Sequence, residues 1–259
     1  MTERTPVLET RGISKWFGPV KALTNIDLRV FPGEIVALIG DNGAGKSTLI
    51  NVLTGVLPHE EGDILFEGSP VHMGSPQEAR KLGIETVYQD LAISPHLNSV
   101  ANIFMGREFR QPGLLGKLGF LDNKRMREDT IAQLARLRVR IPNIDRRMVT
   151  LSGGQRQGVA VARSVRWASK VVIMDEPTAA LGVAQSGMVL DLIKEVRNSG
   201  IPIIFISHNM PHVFQVADRI LVLRLGEIVA ELDPKSNTID DAVSAMTGST
   251  RMPTGVTHG

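Results

Sequence analysis

Eight consecutive residues, Gly40, Asp41, Asn42, Gly43, Ala44, Gly45, Lys46 and Ser47, fit the pattern G-x-x-x-x-G-K-[ST]. Glycines of this pattern let successive backbone N–H groups curl around phosphate oxygens, the lysine meets the charge of the outer phosphates, and the hydroxyl supplies an oxygen to Mg2+. Thr48 follows and is counted with them. A second place for chemistry is the acid pair Asp175 and Glu176, at the end of an apolar run. Asp175 is suited to a metal shell, and Glu176, one residue on, to polarising a water against a terminal phosphate. The alternative for the pair is a solvated strand end or a helix cap. A third is Leu151, Ser152, Gly153, Gly154 and Gln155, followed by an alternation of small apolar and basic residues that reads as a helix. Glycines at a helix start make an anion site, here without a lysine of its own. A given pentapeptide of this kind arises by chance in only about one chain in several thousand, so it calls for a specific explanation.

These residues need particular elements to hold them. Residues 34–39 are a short apolar, strand-like run opened by the turn pair Pro32 and Gly33, and residues 47–53 have helical spacing before Gly55 and Pro58. Strand, glycine loop and helix therefore come in the order that points a helix N-terminus at phosphate. Residues 170–175 read as a buried strand stopped by Pro177, and 201–207 and 219–224 as two more, with a helix over about 184–198 capped by Gly200. Residues 7–31 alternate as a hairpin around Gly18 and Pro19, and 63–68 read as a strand into a turn. From about 91 to 168 the pattern is helical and arginine-rich, interrupted by a glycine-rich loop at 111–119. Arg136, Arg138 and Arg140, with Arg146 and Arg147, read as a solvated helical face, since they lack the interleaved aromatics of a nucleic-acid platform. No internal repeat is visible, and the polar tail beyond Met246 is expected to be loose.

Composition narrows the classes. With 259 residues, 42% of them hydrophobic, the chain can build a sizeable core. No apolar run approaches the ~18–20 residues that span a bilayer, and the first residues lack the apolar stretch of a signal peptide, so a cytosolic chain is expected. The absence of cysteine removes disulfides, thiolate metal sites and thiol catalysis. A formal net charge of +2 gives no reason to expect a polyanionic partner.

On the 40–47 loop, the acid pair at 175–176 and the pentapeptide at 151–155, the chain resembles the ATP-binding subunits of ABC transporters, over about residues 7–247. The resemblance implies an α/β fold with a P-loop NTPase core of ABC ATPase type, an N-terminal antiparallel β layer and an inserted helical subdomain. Residues 1–247 would form one ATPase domain, with core 1–90 and 166–247, helical subdomain 91–165 and a flexible tail at 248–259. It implies ATP and Mg2+ as ligands, with Ser47, Gln89 and Asp175 on the metal. It implies catalytic roles for Glu176, for His208, which would bridge the γ-phosphate and the carboxylate, and for Gln89, which would link nucleotide to a membrane partner. Phe17 matches the aromatic that stacks on adenine, with Trp16 as competitor and a hairpin-core role as the alternative. Ser152, Gly153, Gly154 and Gln155 would close over the γ-phosphate held by a partner subunit, so one chain would carry two incomplete sites. The family's Ser-Ala-Leu-Asp loop reads Ala179, Ala180, Leu181, Gly182 here, without the carboxylate that couples the two sites.

Residues 99–108 and 175–182 look like those of carbohydrate importers, especially for monosaccharides such as ribose, xylose or fructose, and fructose is the preferred solute. Many such importers fuse two cassettes, and this sequence holds one, so the resemblance implies a homodimer. It further implies two transmembrane permease subunits, an extracytoplasmic sugar-binding protein, a peripheral location on the cytoplasmic face of the inner membrane, and no nucleic acid. The alternatives are a soluble ABC ATPase acting on ribosomes or DNA, and an exporter subunit. A switch that binds without hydrolysing would be expected to lack Glu176 or His208.

Overall fold

A computed structural model of the chain describes residues 5–88, 92–168, 170–179 and 181–249. The first two strands, β1 (Leu8–Phe17) and β2 (Val20–Val30), form the expected hairpin, with Phe17 opposite Val20. Next come β3 (Ile35–Ile39), α1 (Lys46–Leu53), β4 (Glu61–Phe66), β5 (Ser69–Val71), α2 (Pro76–Lys81) and β6 (Ile84–Val87). The middle of the chain holds α3 (Ser99–Phe104), α4 (Leu114–Lys117), α5 (Asn123–Arg136) and α6 (Gly153–Trp167). The rest is β7 (Val171–Asp175), α7 (Val183–Asn198), β8 (Ile203–Ile206), α8 (Met210–Val216), β9 (Arg219–Arg224), β10 (Glu227–Leu232) and α9 (Ile239–Thr247).

Two sheets result. The antiparallel one runs β2-β1-β4-β5, so half of the β layer that begins at the N-terminus is built by strands lying after the P-loop helix. The other runs β10-β9-β3-β8-β7-β6, parallel except for the edge strand β10. Strand β3 is buried along its whole length, and its side chains alternate between two cores. Ile35, Ala37 and Ile39 pack with the helices α3, α5, α6 and α7, while Val36 and Leu38 pack with α1 and the antiparallel sheet. Strands β7 and β8 divide in the same way, which is why these runs read as continuously apolar.

Two expectations change. Helix α5 stops at Arg136, so Arg138 and Arg140 sit on the connection beyond it and the basic cluster is not one helical face. Arg138 has a positive φ of 55° and pairs with Glu195 on α7 at 2.9 Å. The physical reason is the reversal there: the Arg138 and Val139 amides bond back to Ala135 and Leu134 carbonyls and end the helix. The glycine-rich stretch 111–119, expected as a loop, contains the single turn α4 and is closed by a bridge between Arg110 and Leu121. The tail from Thr250 and the glutamine at 89 lie outside the described residues.

Candidate active site

Register in the parallel sheet brings the chemistry together. Leu38 on β3 is level with Ile206 on β8, and Ile206 is level with Asp175 on β7. The chain leaving each of these strands at its C-terminal end therefore emerges at one height: the loop from Gly40, the acid Glu176, and Ser207 with His208. This is where open α/β sheets bind ligands. The result is a cleft of about 910 Å³ lined by Asp41, Asn42, Gly43, Gly45, Lys46, Ser47, Thr48, Asp175, Glu176 and His208, with Val20, Lys21 and Ala22 of β2 on one side.

Gly45 caps the start of α1 with φ 108°, and a Cβ there would lie 2.7 Å from the Ala22 carbonyl oxygen, so glycine is required. Lys46 donates to the carbonyls of Gly40 at 2.6 Å and Asp41 at 2.9 Å, holding the loop curled. Burial lowers the lysine's proton affinity below its ordinary value, against the pull of Glu176, Asp41 and Asp175. Burial likewise raises the Asp175 carboxyl above its ordinary range, helped by the charge of Glu176 and opposed by Lys46.

Glu176 is the most constrained group. Its φ of 48° is rare for a residue with a Cβ, and its N–H donates to the Ile206 carbonyl at 2.9 Å, which ties the turn to β8. Its carboxylate lies 2.8 Å from His208 Nδ1 and accepts from Ser207 Oγ at 3.4 Å. The glutamate side chain is 13% exposed and that of His208 is 75% exposed, so the imidazole reaches from the open side onto a sheltered carboxylate. Strain of this kind, of order 1–3 kcal/mol, persists where the surroundings over-determine it. Ser207, whose oxygen also accepts from the Asn209 N–H at 3.1 Å, is a site residue that the reading of motifs missed. Its place between a buried strand and His208 was the available signal.

For a metal, the cleft offers the Ser47 hydroxyl and the Asp175 carboxylate, hard oxygen donors suited to Mg2+. No group of three His, Cys, Asp or Glu side chains able to hold a metal occurs among the described residues.

Ser152, Gly154 and Gln155 do not line this cleft. They line a separate cavity of about 780 Å³ between α6, α7 and residues 137–140. There the pentapeptide caps its own helix: the Gln155 N–H donates to Ser152 Oγ at 3.3 Å, and the Ser152 N–H donates to Gln155 Oε1 at 3.0 Å. The missing carboxylate at Gly182 is also a cap position, since Gly182 precedes α7 and its N–H donates to Gln185 Oε1 at 3.1 Å. Phe17 ends β1 with 49% exposure, which removes the hairpin-core alternative, while Trp16 is half-buried.

The profile of the ABC transporter family matches residues 23–179. The chain is 54% identical over 250 residues to a fructose import ATP-binding protein of Rhizobium meliloti, covering 96% of each. It is 44% identical over 241 residues to a xylose/arabinose import ATP-binding protein of Sulfolobus acidocaldarius, covering 93% of this chain and 94% of that one. Among solved structures it superposes with a TM-score of 0.77 on the ADP conformation of an ATP-binding cassette of an ABC transporter, at 28% identity, covering 93% and 95% of the two chains.

Proposed function

The chain belongs to the ABC transporter family, and from that premise we propose that it is the ATP-hydrolysing subunit of a monosaccharide importer. The observation that carries hydrolysis is the His208–Glu176 contact of 2.8 Å in the cleft that also holds Lys46 and Ser47. The solute class rests on the importers to which the chain is similar, and fructose is the narrower proposal.

In this reading the N–H groups of the 40–47 loop and Lys46 hold the β- and γ-phosphates of ATP, and Phe17 stacks on the base. Ser47 and Asp175, joined by Gln89, would hold Mg2+, which when bound supplies charge neutralisation on the phosphate oxygens. Glu176 orients a water toward the γ-phosphate and accepts its proton, while His208 donates from Nδ1 to the carboxylate and fixes it on the phosphate side of the cleft. Ser207 holds the second carboxylate oxygen. Ser152, Gly154 and Gln155 line a cavity apart from the cleft, which supports a reading in which the Ser152 to Gln155 segment serves the γ-phosphate of a second copy; the working unit in this reading is a homodimer under two permease subunits at the cytoplasmic membrane face. An extracytoplasmic binding protein delivers the sugar.

The test is reconstitution of the purified chain with the permease subunits in vesicles, with ATP on the cassette side. Fructose uptake that is lost with Lys46→Ala supports the proposal. ATP hydrolysis without uptake of any monosaccharide, in a chain that does not bind the permease, would overturn the importer reading and leave the soluble alternative.

A further inference from the structure

The end of β1 is not a regular strand. Its pairing with β2 shifts register between Thr10 and Ile13, between Ile13 and Lys15 and again between Lys15 and Trp16, so the last of these irregularities falls just before Phe17. One acid from a distant segment spans this irregularity. Glu60, in the connection between α1 and β4, accepts from Lys15 Nζ at 2.7 Å through one carboxylate oxygen and from the Trp16 N–H at 2.9 Å through the other. The Glu60 N–H donates back to the Ser14 carbonyl at 3.0 Å. Lys15, with its side chain 7% exposed, is the buried member, and Glu60 at 39% is the wetter one. The lysine's hydrogen bond holds the Glu60 carboxyl below its ordinary range.

A buried lysine is costly, and a single partly exposed ion pair contributes little to stability. What this pair does have is a position. Lys15 Nζ also lies 5.3 Å from the centre of the Phe17 ring, within cation–π range, so the cation covers one face while the ring remains half exposed. Phe17 is paired with Val20, and Val20 lines the nucleotide cleft.

We propose that Lys15 and Glu60 are positioning residues for the nucleobase: the ion pair locks the bulged end of β1, and Lys15 backs one face of Phe17 so that the other is presented to adenine. The inference rests on the reading of Phe17 as the stacking residue. It extends that reading to two residues that, like Phe17, lie beside rather than in the cleft lining, and ties base recognition to the segment leaving α1, the helix that begins at Lys46.

Binding of ATP and of inorganic tripolyphosphate to the full chain, each with Mg2+, tests it by calorimetry, because tripolyphosphate engages the loop without a base. Lys15→Met and Glu60→Gln should each weaken ATP about tenfold, the scale of one stacking contact, with tripolyphosphate changed less than about twofold. The Lys15→Arg substitution, which keeps both the ion pair and the cation, should restore ATP binding, and steady-state turnover should show the loss in KM with kcat nearly constant. Equal weakening of both probes, or no change in ATP binding with Glu60→Gln and Lys15→Met, overturns the proposal. Phe17→Ala separates the failures: if it weakens ATP selectively and the pair variants do not, positioning is wrong and stacking stands, whereas an unaffected Phe17→Ala removes the stacking reading itself. Should Lys15→Met fail to fold, Glu60→Gln, which keeps the side chain's shape, still decides.

Discussion

Glu176 is held from three directions: its backbone by Ile206, one carboxylate oxygen by His208, the other by Ser207. That arrangement is suited to a base whose orientation matters more than its reach. Glu176→Gln preserves shape and removes proton acceptance, so turnover should fall by about 10²–10⁴-fold with ATP binding intact. Single-turnover kinetics checks this, and a mutant at the parent rate would assign the base elsewhere. Asp175 leads to a different expectation. Its carboxyl is raised, first by burial and second by Glu176, with Lys46 opposing. A carboxyl raised in the folded chain binds its proton more tightly there than when unfolded, so it opposes folding at neutral pH. That cost fades as pH falls through the folded value toward the unfolded value near ~4. Asp175→Asn should therefore raise the nucleotide-free Tm at neutral pH, on the order of 2 °C, and change it little near pH ~4, while turnover is lost. Thermal melts at the two pH values check the sign; a lowered Tm at neutral pH would mean that the attraction of Lys46 outweighs the burial cost.

Elements explain why the site sits where it does, and they divide what could be read in the sequence from what could not. The loop at 40–47, the strand ending at Asp175 and the helix after Ser152 are local patterns, with glycine, apolar run and cap within a few residues, so they are legible. The pairing of β4 with β1, which builds half of the antiparallel layer, joins residues some fifty positions apart and leaves no local mark. The same holds for the positive φ of Glu176, which comes from its bond to β8. The turn between β9 and β10 is another such feature. Leu225 and Gly226 both have positive φ, and Gly226 donates to the Ala44 carbonyl at 3.0 Å and accepts from the Thr24 N–H at 2.8 Å. This hairpin thus buttresses the phosphate loop and β2 together. A Cβ on Gly226 would lie 2.8 Å from the Ala22 carbonyl oxygen at φ 81°. Gly226→Ala should cost about 2 kcal/mol, from left-handed backbone strain plus the contact, and should raise the KM for ATP although no catalytic side chain is changed. Denaturant midpoints and steady-state kinetics measure the two effects, and an unchanged midpoint would show that the turn gives way freely.

At the scale of the whole molecule, the phosphate loop and the Ser152–Gln155 cap open on different cavities of one chain. A single copy therefore does not place the helix start at Ser152 over the cleft that holds its own phosphate loop, and a two-fold pair would supply that second helix start reciprocally. Gly182 leaves that pairing without the expected carboxylate. Two inactive variants test the reciprocity. Lys46→Ala disables the phosphate loop, and Gly153→Asp puts a carboxylate where a partner's γ-phosphate would sit; its Cβ approaches the flexible end of Leu181 at 3.0 Å, which can move aside. In a mixed pair one site carries both lesions, whereas the other combines an intact loop from one copy with an intact cap from the other. Mixing equal amounts makes half of the pairs mixed, each with one of two sites whole, so ATPase activity should return to about a quarter of the parent rate. Each variant alone should stay inactive at every concentration. If the two halves of a site belonged to the same chain, no mixture could restore turnover, because every copy would carry its own lesion.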